Sequence, residues 1–217
     1  MWWLRIPVES AARQQWSIPY VGVVETLAAA LDARDRYTAG HSVRVAEYSA
    51  AIAVELGFSA RVQEEIRVAA QMHDLGKIGI PDAVLLKSGK LTAEELGLIR
   101  LHPQIGRRIL ERAPNFEGVL NVVELHHENY DGSGYPYRLA GEGIPLDARI
   151  VRVADALDAM TSHRSYGTKL SPESASEELQ INAGRLFDPN VVRALLRLMQ
   201  GPLRSQIESV GTGLRAP

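Results

Sequence analysis

His73 and Asp74 stand side by side in HDLGKIGIP, and His126 and His127 form a second doublet in HHENYDGSGYP. With His41, His102 and a later carboxylate at Asp155, these side chains supply enough nitrogen and oxygen to hold two divalent metal ions. All but one of the six histidines fall in such compact stretches. The chemistry this donor set suits is metal-assisted hydrolysis.

A lone histidine in an apolar helix is more often a hydrogen-bonded core residue than a ligand. The doublets change that balance. Adjacent helical residues point about 100° apart, so a doublet serves one cluster best at a helix end or astride the groove facing it. Both doublets run directly into glycine-containing loops. An aspartate between two cations can give one oxygen to each, which makes Asp74 the candidate bridge. Lys77, three residues on, reads either as an i,i+3 partner of Asp74, contributing about 0.2–0.5 kcal/mol, or as a cation for a phosphoryl group beside the metals. Asp155 lies in the otherwise apolar stretch RVADALDAM, where an unpaired carboxylate would be costly. Asp158 shares that stretch, and spacing alone does not choose between the two. Glu128 and Asp131 are further oxygens, whose default role in a turn-rich loop is to accept from backbone amides.

Helices must position these groups, since apolar residues recur three and four apart along most of the chain and strand signals are scarce. Ser17 before Ile18-Pro19 predicts a cap for a helix reaching about Asp35, a second helix runs from about Thr38 to the Gly57 stop, and Ser59 opens a third that ends at the HD doublet. Residues 77–90, rich in Gly, Pro and Lys, read as an ordered loop, after which Thr92-Ala93-Glu94-Glu95 has the form of a capping box. Helices over about 102–112 and 116–128 follow, then dense turn chemistry at 131–136. Pro145 leads into the helix carrying Asp155. Ser171-Pro172 and Asp188-Pro189 each place a cap before proline at the first helical position, marking two last helices. The expectation is one all-α domain over 17–202, with an N-terminal extension at 1–16 and a C-terminal tail at 203–217, both ends loosely ordered.

The 217 residues suffice to bury a core without staples, and with no cysteine the chain has neither disulfides nor thiolate ligands. A formal net charge of −2 argues against a broad DNA or RNA surface, which would need a basic face. The opening MWWLRIPVES is too short and too interrupted for a signal peptide or spanning helix. The chain reads as soluble and cytoplasmic.

The ordered series DARDRYTAGHS, HDLGKIGIPD, LLKSGKLT, LHPQIG, HHENYDGSGYP, IPLDARIVRVADALDAMTS and FDP resembles the HD-GYP domain, a branch of the HD superfamily of metal-dependent phosphohydrolases. The resemblance spans about Tyr20 to Leu198. It implies an all-helical fold and hydrolysis of the bacterial second messenger cyclic di-GMP, with iron or manganese as metals. Carried over by position, it implies that one ion takes His41, His73, Asp74 and Asp155, while the other shares Asp74 and adds His102, His126 and His127. Asp158 then becomes an outer or helix-surface residue. Some members of that family hold a third metal through an acidic residue four positions before the first histidine; Tyr37 stands there, so two ions are implied. Two cations about 3.5–4 Å apart can activate a water for in-line attack on phosphorus, giving the linear dinucleotide pGpG, with a second cut to GMP left open.

Substrate contacts implied by the resemblance are Lys77, Tyr135, Arg164 and Tyr166. The family segment TSDRPYRKALS reads TSHRSYGTKLS here, with His163, Ser165, Gly167 and Thr168 as departures; His163 is expected to be an exposed loop residue. The Gly134-Tyr135-Pro136 loop is expected to wall the site and, secondarily, to meet a GGDEF-type cyclase domain. Two further readings stay open at this stage: a phosphohydrolase for another cyclic dinucleotide or nucleotide, and a metal-retaining sensor or docking module.

Overall fold

The computed structural model describes residues 18–34, 40–114, 116–162, 169–201, 203–205 and 207. Their regular structure is all helical, with no strand among the described residues: α1 Ile18–Arg34, α2 His41–Glu55, α3 Ala60–Met72, α4 Asp82–Leu85, α5 Ala93–Ile99, α6 His102–Leu110, α7 Glu117–Leu125, α8 Leu146–Thr161, α9 Pro172–Ile181 and α10 Pro189–Met199. Two 3-10 turns, Leu75–Gly79 and Gly141–Gly143, complete the described elements.

Helix starts follow the local chemistry of the chain. Thr92 and Glu95 close a capping box, with Glu95 N–H on the Thr92 hydroxyl at 3.3 Å and Thr92 N–H on the Glu95 carboxylate at 2.8 Å. Ser171 accepts from Ser174 N at 3.2 Å and Asp188 from Asn190 N at 2.7 Å, each with proline next in the first turn. The expected Ser17 cap and Thr38 start lie outside the described residues. The helices expected over about 102–112 and 116–128 stop a little sooner than periodicity suggests, at Leu110 and Leu125.

Residues 77–90, expected as loop, instead hold most of a 3-10 turn and the single-turn helix α4. Short turns of this kind carry little periodicity, and here packing supplies the order: Ile80, Val84 and Leu85 are buried against Leu91, Ile99 and Ile105 in a small satellite core.

The main core lies where α2 and α3 pack on each other, with α8 across α2 and α7 across α3. Tyr48, Ile52, Ile66, Met72, Ile150 and Leu157 are fully buried there, and burial of each large apolar side chain contributes roughly 1.5–3 kcal/mol. Leu203 and Ile207, which periodicity leaves to the C-terminal tail, also sit in this core. Contact with distant helices, invisible to a local pattern, carries the packed unit past residue 202.

Candidate metal centre

Helix ends deliver nearly all of the donor set. His41 is the first residue of α2, His73 and Asp74 follow α3, His102 opens α6, and His126 and His127 follow α7. Asp155 comes from the interior of α8. Two glycines permit this convergence. A Cβ on Gly76 would stand 1.8 Å from the His102 carbonyl oxygen and 2.5 Å from Gly106 N, so glycine there seats the start of α6 against the Asp74 turn. A Cβ on Gly134 would stand 2.3 Å from Asn129 N and 2.6 Å from His127 O, in a loop that folds back on the second doublet.

Within the cluster, His41 Nε2 lies 3.3 Å from His73 Nε2 and 3.4 Å from Asp155 Oδ1. His102 Nε2 lies 3.3 Å from His126 Nε2 and 3.3 Å from Asp74 Oδ1. The other Asp74 oxygen, Oδ2, faces His73 Nε2 at 3.5 Å, His41 Nε2 at 3.9 Å and the Lys77 ammonium at 2.7 Å. Donor atoms therefore form two groups, His41, His73 and Asp155 on one side and Asp74, His102, His126 and His127 on the other, each spanning less than 4.8 Å. The Asp74 carboxylate reaches both.

Opposite ring edges decide which nitrogen is offered. His73, His102 and His126 each donate Nδ1–H to the carbonyl three residues back, on Ala70, Ile99 and Val123, at 2.6, 2.8 and 2.8 Å. Their Nε2 lone pairs are thus turned inward. His41 Nδ1–H meets Asp158 Oδ2 at 2.7 Å, and Arg44 holds the same carboxylate from Nε at 2.6 Å and Nη2 at 3.0 Å. Burial opposes ionisation of Asp158, but His41 and Arg44 lower its pKa to about 2, so it stays an acceptor at neutral pH.

Electrostatics favour the ligand form of five donors, Asp74, Asp155, His102, His126 and His127. Burial works against the Asp74 carboxylate, yet Lys77, His73, His102 and His41 hold it well below the usual carboxylate range. Asp155 is likewise lowered by His41 and His73 against the effect of burial. Burial pushes His126 and His127 well below the ordinary imidazole value and His102 below it, leaving them neutral. His41 differs: burial is outweighed by Asp158, Asp155 and Asp74, which raise it, so a cation binding there competes with a proton.

These residues fit metal ions. The inward lone pairs of His102 and His126 face one another and are repulsive unless a cation lies between them, and two ligands of one ion, each bonded at about 2.0–2.1 Å, stand roughly 3–3.4 Å apart, as both Nε2 pairs do. Asp158→Asn, which weakens the acceptor that orients His41, is expected to lower metal affinity about 10–100-fold, read by metal titration against the unaltered protein.

All seven ligands expected from the sequence come together, and Lys77 joins them. The i,i+3 pair with Asp74 forms even though α3 stops at Met72, because a 3-10 turn stacks residues three apart. Tyr135 stacks on His127, ring centroids 4.8 Å apart at 23°. Glu128 accepts from Tyr137 N and Leu139 N, and Asp131 from Ser133 N, so both hold the loop. Arg164, Tyr166, His163 and Tyr37 lie outside the described residues. Sequence reading missed Arg44, whose place three residues after His41 on α2 was a usable signal, and Arg100, whose guanidinium lies 5.4 Å from the Tyr135 ring centroid. It also missed Arg152, which donates to Asn129 Oδ1 at 3.1 Å and contributes to the lowering at His127 and Asp155.

An HD domain model matches residues 25–191. A cyclic di-GMP phosphodiesterase response regulator, RpfG, from Xanthomonas campestris pv. campestris is 45% identical over 186 residues, covering 85% of this chain and 48% of the relative. A cyclic di-GMP phosphodiesterase from Thermotoga maritima is 44% identical over 178 residues, covering 81% and 48%. Among solved structures, a cyclic GMP-AMP-specific phosphodiesterase from Vibrio cholerae superposes with a TM-score of 0.67 at 19% identity, over 86% of this chain and 49% of that one, which speaks to the fold. This chain belongs to the HD domain family, in its HD-GYP branch. It spans about half the length of the curated relatives it matches. No helix among the described residues is long and apolar enough to cross a membrane.

Proposed function

We propose that this chain is a metal-dependent phosphodiesterase that hydrolyses cyclic di-GMP to linear pGpG. The observation that carries the reading is the Asp74 carboxylate, with one oxygen toward His102 and the other toward His41, His73 and the Lys77 ammonium. The identity of 45% and 44% to cyclic di-GMP phosphodiesterases supports the choice of substrate.

In this reading His41, His73, Asp74 and Asp155 hold one ion, and Asp74, His102, His126 and His127 the other, iron or manganese in each. Divalent cations bound there lower the pKa of water and stabilise charge on phosphate oxygens. The backbone carbonyls of Ala70, Ile99 and Val123 keep three imidazoles aimed inward, and Asp158 does so for His41. Lys77 turns from Asp74 to a phosphate oxygen. Tyr135 walls the site beside a cavity of about 300 Å³ lined by Arg100, Ser133, Pro136 and Arg138, roomy enough for part of a dinucleotide. Arg164 and Tyr166 complete the contacts on the strength of the sequence alone. A GGDEF-type partner at the GYP loop is not part of this reading, and nothing in the loop's geometry supports one.

The test is turnover by protein purified anaerobically with its native metal, with cyclic di-GMP and cyclic GMP-AMP assayed in parallel. Conversion of cyclic di-GMP to pGpG, with about two ions per chain, is expected; a fully loaded protein that leaves cyclic di-GMP intact overturns the reading. Lys77→Ala is expected to keep its metals and lose about ten- to a hundredfold in kcat/KM, the worth of one charge-assisted phosphate contact at about 1.5–3 kcal/mol.

A further inference from the structure

The last residue of α1 reaches the site's lysine. Arg34 donates from Nη1 to the Lys77 carbonyl oxygen at 2.8 Å and from Nη2 to the Ile80 carbonyl oxygen at 2.7 Å. The same guanidinium meets Asp82 Oδ1 from Nε at 3.1 Å and from Nη2 at 2.6 Å. One side chain thus spans the turn between the metal-ligand doublet and α4. Lys77 O also accepts from Ile80 N at 3.0 Å, so both carbonyls gripped by Arg34 belong to the single turn whose lysine ammonium lies 2.7 Å from Asp74.

We propose that Arg34 is a positioning residue that acts through Lys77, fixing the main chain from which the phosphate-binding ammonium is aimed; this rests on the reading of Lys77 given above. Lysine is a point charge on a flexible four-carbon stem, so its aim is only as good as its anchor. The turn is short, and 3-10 geometry gives it poorer internal hydrogen bonds than an α-helix would. A planar guanidinium presents donors in a fixed fork and can hold two carbonyls at once, which an ammonium does less well. The Asp82 side chain is 68% exposed, so its ion pair adds little, and the two carbonyl contacts carry the proposed role. Leu31 and Ala28, buried one and two turns earlier on α1, fix the helix from which Arg34 extends.

The test is a double-mutant cycle on the metal-loaded full chain, read by cyclic di-GMP kinetics, metal content and amide hydrogen exchange over residues 77–84. Arg34→Gln is expected to lower kcat about ten- to a hundredfold, as a misplacement near 1 Å does, with metal content unchanged and exchange at Ile80 accelerated. Arg34→Lys should recover part of that loss. Asp82→Asn should stay within about twofold of the unaltered protein, as befits an exposed pair. In a Lys77→Ala background, Arg34→Gln should cost nothing further. A full additional loss in that background overturns the proposal, as does an Arg34→Gln protein of normal kcat beside a slowed Lys77→Ala. Normal turnover by Lys77→Ala itself instead overturns the reading of the lysine, and accelerated exchange in Arg34→Gln then reports a structural clamp alone.

Discussion

Asp74→Ala is expected to abolish turnover and to deplete both halves of the cluster together. Among the described residues Asp74 is the carboxylate that faces both donor groups, with Oδ1 at 3.3 Å from His102 and Oδ2 at 3.5 Å from His73. Its removal leaves three of the histidines with no negative charge among them on the His102 side. It also leaves the Lys77 ammonium without its 2.7 Å partner, inside a site that must accept cations. Two doubly charged ions then lose a compensating charge and a bond each, and binding by neutral imidazoles alone does not offset that loss. Metal analysis should show the variant well below the unaltered protein, with no detectable pGpG. Asp155→Ala provides the contrast: Asp155 belongs to the His41 and His73 group, so metal content should fall toward half. An Asp74→Ala protein that keeps its full metal content and normal turnover rules out the bridge.

Gly76→Ala is expected to damage stability and the metal centre at once. The added methyl would meet the His102 carbonyl oxygen at 1.8 Å and Gly106 N at 2.5 Å. Both obstacles are backbone, so no side chain can swing aside; the start of α6 or the Asp74 turn must move. Overpacking typically costs about 1–3 kcal/mol and occasionally more, and this contact belongs at or above the upper end. A loss of about 3 kcal/mol lowers the melting temperature of a domain this size by roughly 6–12 °C. Displacing His102 also separates it from Asp74 and His126, so metal content should drop in the protein that remains folded. Gly97→Ala, inside α5 with nothing within 4 Å of the new methyl, should instead stabilise by about 0.5–1 kcal/mol through helix propensity. Equal melting temperatures for the two variants would contradict the packing argument.

The donor set was readable in the chain because ligand chemistry depends on residue type. Two doublets of unusual composition, each running into glycine, announce helix ends that face a common point. Caps at Thr92, Ser171 and Asp188 were readable for a related reason: each satisfies amides within three residues of itself, and that information is local. Which carboxylate of α8 faces the cluster was not decidable from spacing, since Asp155 and Asp158 are three apart and share one helix face. Tertiary packing sets His41 between them, with Asp155 on its Nε2 side and Asp158 on its Nδ1 side. What Arg44 and Arg34 hold was not decidable for the same reason, even though Arg44 stands three residues after His41. Their partners lie 114 and 43 positions away along the chain, and only the crossing of α2 with α8, and of α1 with the Lys77 turn, brings them into reach. Sequence alone determined which atoms could bind and where helices could begin. The long-range packing of those helices decided which atoms meet, because a hydrogen bond or a bridging carboxylate is set by distance in space, which no local pattern encodes.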